Sequence, residues 1–181
     1  RSTVMDKARY LDWPDRYTVR VLRNAFTERW HNDLPGLLAN AEAEALVVVD
    51  DYGHHPTEIR ATLAAARARY GARPLWAVFQ PHTYSRLRAL WADFSQSFTD
   101  ADHVVLLDVY ASRETDAGDA SAASDLASAL VQDLVHEDVR HIGDMHAAAE
   151  YIGSNAEPDA VVITLSAGDG NEVGTLILES C

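Results

Sequence analysis

Cysteine, lysine and long apolar runs are what this chain has least of, and each scarcity removes a class of protein. A single cysteine, Cys181 at the far end, excludes an internal disulfide, any site built from several thiolates and a credible thiol nucleophile. A reducing, cytoplasmic setting fits. Lys7 is the one lysine, and the acids outweigh the arginines to a formal charge of −13. That balance leaves no positive face for a nucleic-acid backbone or an anionic membrane surface, so neither is expected as a partner. No run approaches the roughly 18 consecutive apolar residues of a membrane-spanning helix, and no signal peptide is visible. The G-x-x-x-x-G-K-[ST] loop is absent, so this chain alone does not cradle a nucleoside triphosphate in the usual way, and there is no G-x-S-x-G elbow. Arg1 stands where an initiator methionine would, and the chain is expected to be part of something longer.

What is present is alternation. Residues 1–45 have no clean period; a short helix around 17–26 is predicted there, and the whole region reads as an extension or linker. From Leu46 the pattern becomes regular. Leu46–Asp50 is a β-branched apolar run, and Thr57–Tyr70 has a helical composition stopped by Gly71. Strands follow at Leu75–Phe79, His103–Leu107, Val139–Ile142 and Ala160–Leu165, with helices at Ser85–Phe98, Asp125–Val135 and Met145–Ile152 between them. The apolar segment Val173–Leu178 reads equally as strand or helix. Strand and helix alternating in this way imply βαβ crossovers. The fold class is therefore α/β: a three-layer, Rossmann-like, mostly parallel sheet with helices on both faces.

Ligands of such sheets bind beyond the carboxyl ends of the strands. That rule selects loops 50–56, 80–84, 108–118 and 166–171. The first offers Asp50, Asp51, Tyr52, His54 and His55, the second His82 and Tyr84 with Arg86 just beyond, the third Asp108, Tyr110, Arg113 and Glu114. A strand-end aspartate suits the vicinal hydroxyls of a ribose, and imidazoles beside an arginine suit a carboxylate. Each residue also has a bland reading: loop histidines are commonly solvated or cap a helix, and acids favour a helix N-terminus. Convergence of three strand ends favours a site. Zinc is the rival use of His54, His55 and His82, but adjacent histidines seldom point the same way and no i, i+4 histidine pair lies on a predicted helix.

Two of these stretches, Asp50-Asp51-Tyr52-Gly53-His54-His55-Pro56-Thr57-Glu58-Ile59 and Phe79-Gln80-Pro81-His82-Thr83-Tyr84-Ser85-Arg86, resemble motifs of the Mur ligase C-terminal domain. The branch they resemble is the UDP-N-acetylmuramate–L-alanine ligases and their murein-peptide-recycling relatives. Leu107-Asp108-Val109-Tyr110-Ala111-Ser112 resembles a third motif, and Ser166-Ala167-Gly168-Asp169 a weaker glycine turn.

The resemblance implies an ATP-dependent ligase that phosphorylates a substrate carboxylate and lets an amine attack the acyl phosphate. It joins an amino acid, L-alanine by resemblance, to UDP-N-acetylmuramate in peptidoglycan synthesis. Residues 1–45 would be the tail of a central ATPase domain and a linker, and 46–181 the C-terminal domain. ATP and Mg2+ would be held mainly by that central domain, and the fragment alone would be inactive. Position by position, Asp51 would meet the ATP ribose with Tyr52 beside it. Tyr52, His54, His82 and Arg86 would surround the amino acid, with Arg86 on its carboxylate, and Arg29 would face a phosphate. Thr83 stands where a second arginine is expected. The alternative reading is a non-catalytic Mur-like module that binds a ligand or a protein.

Overall fold

The computed structural model describes residues 3–4, 17–21, 46–114 and 120–180. Arg29 and Cys181 lie outside them. Five strands form the parallel part of a seven-stranded sheet: β3 (Val47–Asp51), β4 (Leu75–Phe79), β5 (His103–Leu106), β6 (Val139–His141) and β7 (Val161–Leu165). Two more, β1 (Thr3–Val4) and β2 (Tyr17–Val21), extend it antiparallel beyond β3, and the order across the sheet is β1-β2-β3-β7-β4-β5-β6. The helix predicted around 17–26 is thus corrected: Tyr17–Val21 is a strand paired residue for residue with Asp51–Val47. Pairing to an open sheet edge overrode a local composition that has no clean period.

The helices are α1 (Pro56–Tyr70), α2 (Tyr84–Ala89), α3 (Trp91–Phe94), α4 (Ala120–Asp133), α5 (Met145–Asn155) and α6 (Glu172–Ser180). Period-two alternation divides the strands between two cores. Val47, Val49, Leu75, Ala77, Phe79, Ile163 and Leu165 pack with α1–α4, and Val48, Trp76, Val78, Val105 and Val162 pack with α5 and α6. Handedness explains the division. The chain moves in one direction from β3 through β4 and β5 to β6, so its crossover helices share a face; it then returns to β7, and α5 falls on the other. Strand β7 lies between β3 and β4 yet exits to the opposite face, which opens a crevice at its carboxyl end.

Helix α1 begins where the sequence says it should. Pro56 occupies its first turn, the His55 side chain accepts Thr57 N–H at 3.3 Å, and the Glu58 carboxylate accepts His55 N–H at 3.1 Å. Gly71 ends it at φ 63°, a left-handed conformation that favours glycine. The single helix expected over Ser85–Phe98 is two short ones divided at Leu90. The break lets Phe94 and Phe98 each reach the Phe79 ring at 5.4 Å while Tyr84 and Leu87 stay in the same core. Segment 173–178 resolves as helix because Val173 and Ile177, four apart, are both buried, and Gly174 lets α6 settle against Val48.

Candidate functional site

The carboxyl edge of the sheet is sewn together strand by strand. Ser166 N–H donates to the Asp51 carbonyl at 3.0 Å, Gln80 N–H to Leu165 at 3.1 Å and Leu107 N–H to Phe79 at 2.9 Å. Tyr110 N–H then donates to Pro81 at 2.8 Å, so the loops leaving β3, β7, β4 and β5 form one continuous wall. On that wall the aromatic residues of three loops form a ladder. The Tyr52 and His54 ring centres are 5.5 Å apart, those of His54 and His82 5.7 Å, and His82 stacks on Tyr110 at 5.5 Å. Tyr52, His54 and His82 are therefore brought together as the sequence suggested.

Arg86 joins them from α2. Its Nη1 donates to the His82 carbonyl at 2.7 Å and lies 3.2 Å from His82 Nδ1. Among the described residues no carboxylate pairs with this half-buried guanidinium. Burial first, then Arg86, then His54 hold His82 below the ordinary imidazole value of 6.5, so the ring is neutral at pH 7.

Asp51 is the last residue of β3. Its side chain is turned in beneath the loop, where Oδ1 accepts Gly53 N–H at 2.9 Å and Oδ2 accepts the buried Thr62 hydroxyl. Gly53 lies so close that a Cβ there would meet Asp51 Oδ2 at 2.9 Å. The carboxylate shapes the turn, while its neighbour Tyr52, 63% exposed, is the group that faces outward. His55 caps α1, and exposed Arg113 makes no contact with the ladder among the described residues.

Other residues of these loops, to which the sequence reading gave no supporting role, hold the wall in place. Gln80, buried at the end of β4, accepts from Ser166 Oγ at 2.8 Å and Gly170 N–H at 2.9 Å, and donates to Asp169 Oδ1 at 2.7 Å. The glycine turn is thereby locked to β4. Gly168 fits because it has no side chain, since a Cβ would stand 2.8 Å from Tyr110 Cγ. Glu114 accepts from the Thr83 and Ser85 hydroxyls and from Ser85 N–H at 3.2 Å, so Thr83 is bound to an acid of the neighbouring loop. At the outer end of the wall, His141 Nε2 lies 2.8 Å from Asp108 Oδ1, and its Nδ1 lies 2.8 Å from Ser128 Oγ. Gln80 follows a strand and adjoins a proline and a histidine, which is the one cue that could have marked it.

The site lies on a doubly wound sheet whose crevice gathers imidazoles, tyrosines and an arginine without an acid partner among the described residues, a set of groups chemically suited to a small anion. Comparison with known proteins identifies the family. A family model described as Mur ligase, glutamate ligase domain, matches residues 38–168. The UDP-N-acetylmuramate–L-alanine ligase of Roseiflexus sp. (strain RS-1) is 47% identical over 139 residues, covering 77% of this chain and 29% of that protein. That of Caldanaerobacter subterraneus subsp. tengcongensis is 45% identical over 136 residues, 75% of this chain and 29% of the relative. The solved UDP-N-acetylmuramate-alanine ligase of Thermotoga maritima shares the fold, with a TM-score of 0.57 at 23% identity over 75% of this chain and 26% of that one. The chain belongs to the Mur ligase family, as its glutamate ligase domain. It spans about 29% of the length of these curated relatives.

Proposed function

We propose that this chain is the C-terminal domain of an ATP-dependent ligase that joins an amino acid, L-alanine by similarity to its relatives, to UDP-N-acetylmuramate in peptidoglycan synthesis. The observation that carries the reading is Arg86: a half-buried guanidinium, without a carboxylate partner among the described residues, beside a neutral His82. Such a group is suited to the carboxylate of an amino acid, for which the planar fork offers two parallel donors. The unprotonated imidazole beside it adds a hydrogen bond without a second charge. Tyr52 and His54 complete the wall.

ATP supplies the phosphoryl group that turns the acceptor's carboxylate into an acyl phosphate. This chain's residues would bind the amino acid, orient its amine and exclude water as the domain closes. Exposed Tyr52 would lie against the nucleotide, and Asp51 would act from beneath by holding the Gly53 turn. By the resemblance, Mg2+ would be held mainly by the central domain; among the described residues no group of three His, Cys, Asp or Glu is arranged to hold a metal. In this reading residues 1–45 carry the tail of that central domain and the linker, with Arg29 toward a phosphate, and 46–181 form the C-terminal domain, to whose sheet Thr3–Val4 and Tyr17–Val21 add two edge strands. The enzyme would work in the cytoplasm, and the described residues include no helix long and apolar enough to cross a membrane.

The test uses the full-length protein with ATP, Mg2+ and UDP-N-acetylmuramate against a panel of amino acids. Phosphate release that requires both acceptor and amino acid is expected, with L-alanine preferred. No release with any amino acid overturns the ligase in favour of a binding module. An upstream G-x-x-x-x-G-K-[ST] motif is a cheaper first check.

A further inference from the structure

The hydrogen-bond partners of His54 and His82 fix opposite tautomers on the two facing rings. His54 Nδ1 lies 3.0 Å from the Tyr52 carbonyl oxygen and 3.9 Å from the Glu58 carboxylate. Both neighbours accept only, so Nδ1 carries the hydrogen and Nε2 of the neutral ring keeps its lone pair. Glu58 is held in place, because its Oε2 accepts the backbone N–H of His54 at 3.0 Å and of His55 at 3.1 Å. His82 is the reverse case. Arg86 is a permanent donor, and its Nη1 lies 3.2 Å from His82 Nδ1, so Nδ1 accepts and Nε2 carries the hydrogen. Neither Nε2 has a hydrogen-bond partner among the described residues. One wall thus presents a proton acceptor and a proton donor whose ring centres are 5.7 Å apart.

An amino acid at neutral pH arrives as an ammonium, with no lone pair to attack a carbonyl. We propose that His54 Nε2 is the general base that takes a proton from this α-ammonium, with Glu58 as the positioning residue that fixes the His54 tautomer; this deepens the ligase reading and rests on it. The proton passes from the amine nitrogen to Nε2, and the freed lone pair forms the C–N bond at the acyl phosphate carbon. The C–O bond to the phosphate breaks, phosphate leaves with its electron pair and takes the second proton from the nitrogen to leave a neutral amide, and the imidazolium returns its proton to water. His82 Nε2–H, beside Arg86, donates to the amino acid's carboxylate.

The test compares two nucleophiles in the full-length protein with ATP and UDP-N-acetylmuramate: L-alanine, which must be deprotonated, and hydroxylamine, which is largely neutral at pH 7. His54→Asn should lower turnover with L-alanine by about 10²–10⁴-fold, while hydroxamate formation changes little. Glu58→Gln, folded as judged by thermal melting, should show a smaller loss with the same selectivity for L-alanine. Equal losses with both nucleophiles in the two variants would overturn the base assignment and leave His54 a binding residue. Absence of any ATP-dependent hydroxamate from the wild type would overturn the ligase reading and the base assignment together.

Discussion

Glu114 accepts the backbone N–H of Ser85 at 3.2 Å, and the same carboxylate takes the hydroxyls of Ser85 and Thr83. This clip ties the loop after β5 to the first turn of α2, the short helix that carries Arg86. A second tie lies upstream in the same loop, where Tyr110 donates to Pro81 and stacks on His82. The His82–Arg86 wall is thus held by residues about thirty positions later in the chain.

The clip gives a pH dependence with a definite sign. Hydrogen bonds from Ser85 and then Thr83 hold the Glu114 carboxyl below its ordinary value of 4.5. A carboxylate lowered in the folded state contributes stability above 4.5, and that contribution is lost as pH falls through the lower folded value. The stability gap between the wild-type chain and Glu114→Gln, read from urea unfolding, should be widest near neutrality and close as the solution is acidified below 4.5. A gap that stays constant with pH would show that the ionised form has no special part in the clip.

His82 titrates with the opposite group chemistry but the same direction of effect. Its folded value lies below 6.5, so as pH drops under 6.5 the unfolded chain takes a proton that the folded chain refuses, and stability falls. Burial is the larger cause and Arg86 the next. Arg86→Ala should therefore move the His82 titration, followed by proton NMR, only part of the way back up. In the full-length enzyme the same variant should raise KM for the amino acid far more than KM for ATP; equal effects would mark Arg86 as structural.

Thr62 and Asp51 form a buried pair in which the hydroxyl satisfies the carboxylate. Thr62→Val keeps the shape and removes the donor, and a lost hydrogen bond to a charged group costs about 1.5–3 kcal/mol. Urea unfolding should register that loss, and amide exchange at Gly53 should quicken because its acceptor is no longer fixed. An unchanged midpoint would mean that Asp51 finds a substitute donor.

Gly168 lies against two side chains of the wall, and a Cβ there would stand 2.6 Å from Gln80 Oε1 and 2.8 Å from Tyr110 Cγ. Gly168→Ala should destabilise the chain by about 1–3 kcal/mol, the usual cost of overpacking. It should also displace the Tyr110 ring from His82, which the ring-current shifts of the His82 protons would report. Preserved shifts would show that Gln80 alone gives way.

The fold was legible wherever one physical signal was enough. Apolar runs such as Val47–Val49 and Val161–Ile163 read as buried strands, and Pro56 and Gly71 bracketed α1 because ring geometry and a left-handed φ have few alternatives. Tyr17–Val21 misled because strand formation there depends on the open edge of β3, which local composition does not encode. The local pattern of 173–178 suits strand and helix equally, and the close approach of Val48 to Gly174, far apart in the chain, goes with the helix. At the site, residue types and the strand-end rule gathered Tyr52, His54, His82 and Arg86 correctly on one edge, whereas Asp51 kept its place on the wall but turned inward.

By itself the sequence determined the alternation of strands and helices, the acidic surface and the three motifs whose likeness to Mur ligases the comparisons bear out. These rest on local spacing and residue type, which a linear chain carries openly. Tertiary structure decided which motif residues face outward from the wall and which hold it together. It inserted β7 between β3 and β4, set Glu114 against Ser85 and gave Asp51 to Thr62. It also set the tautomers, since which imidazole nitrogen keeps its hydrogen depends on whether a carbonyl or a guanidinium stands beside it.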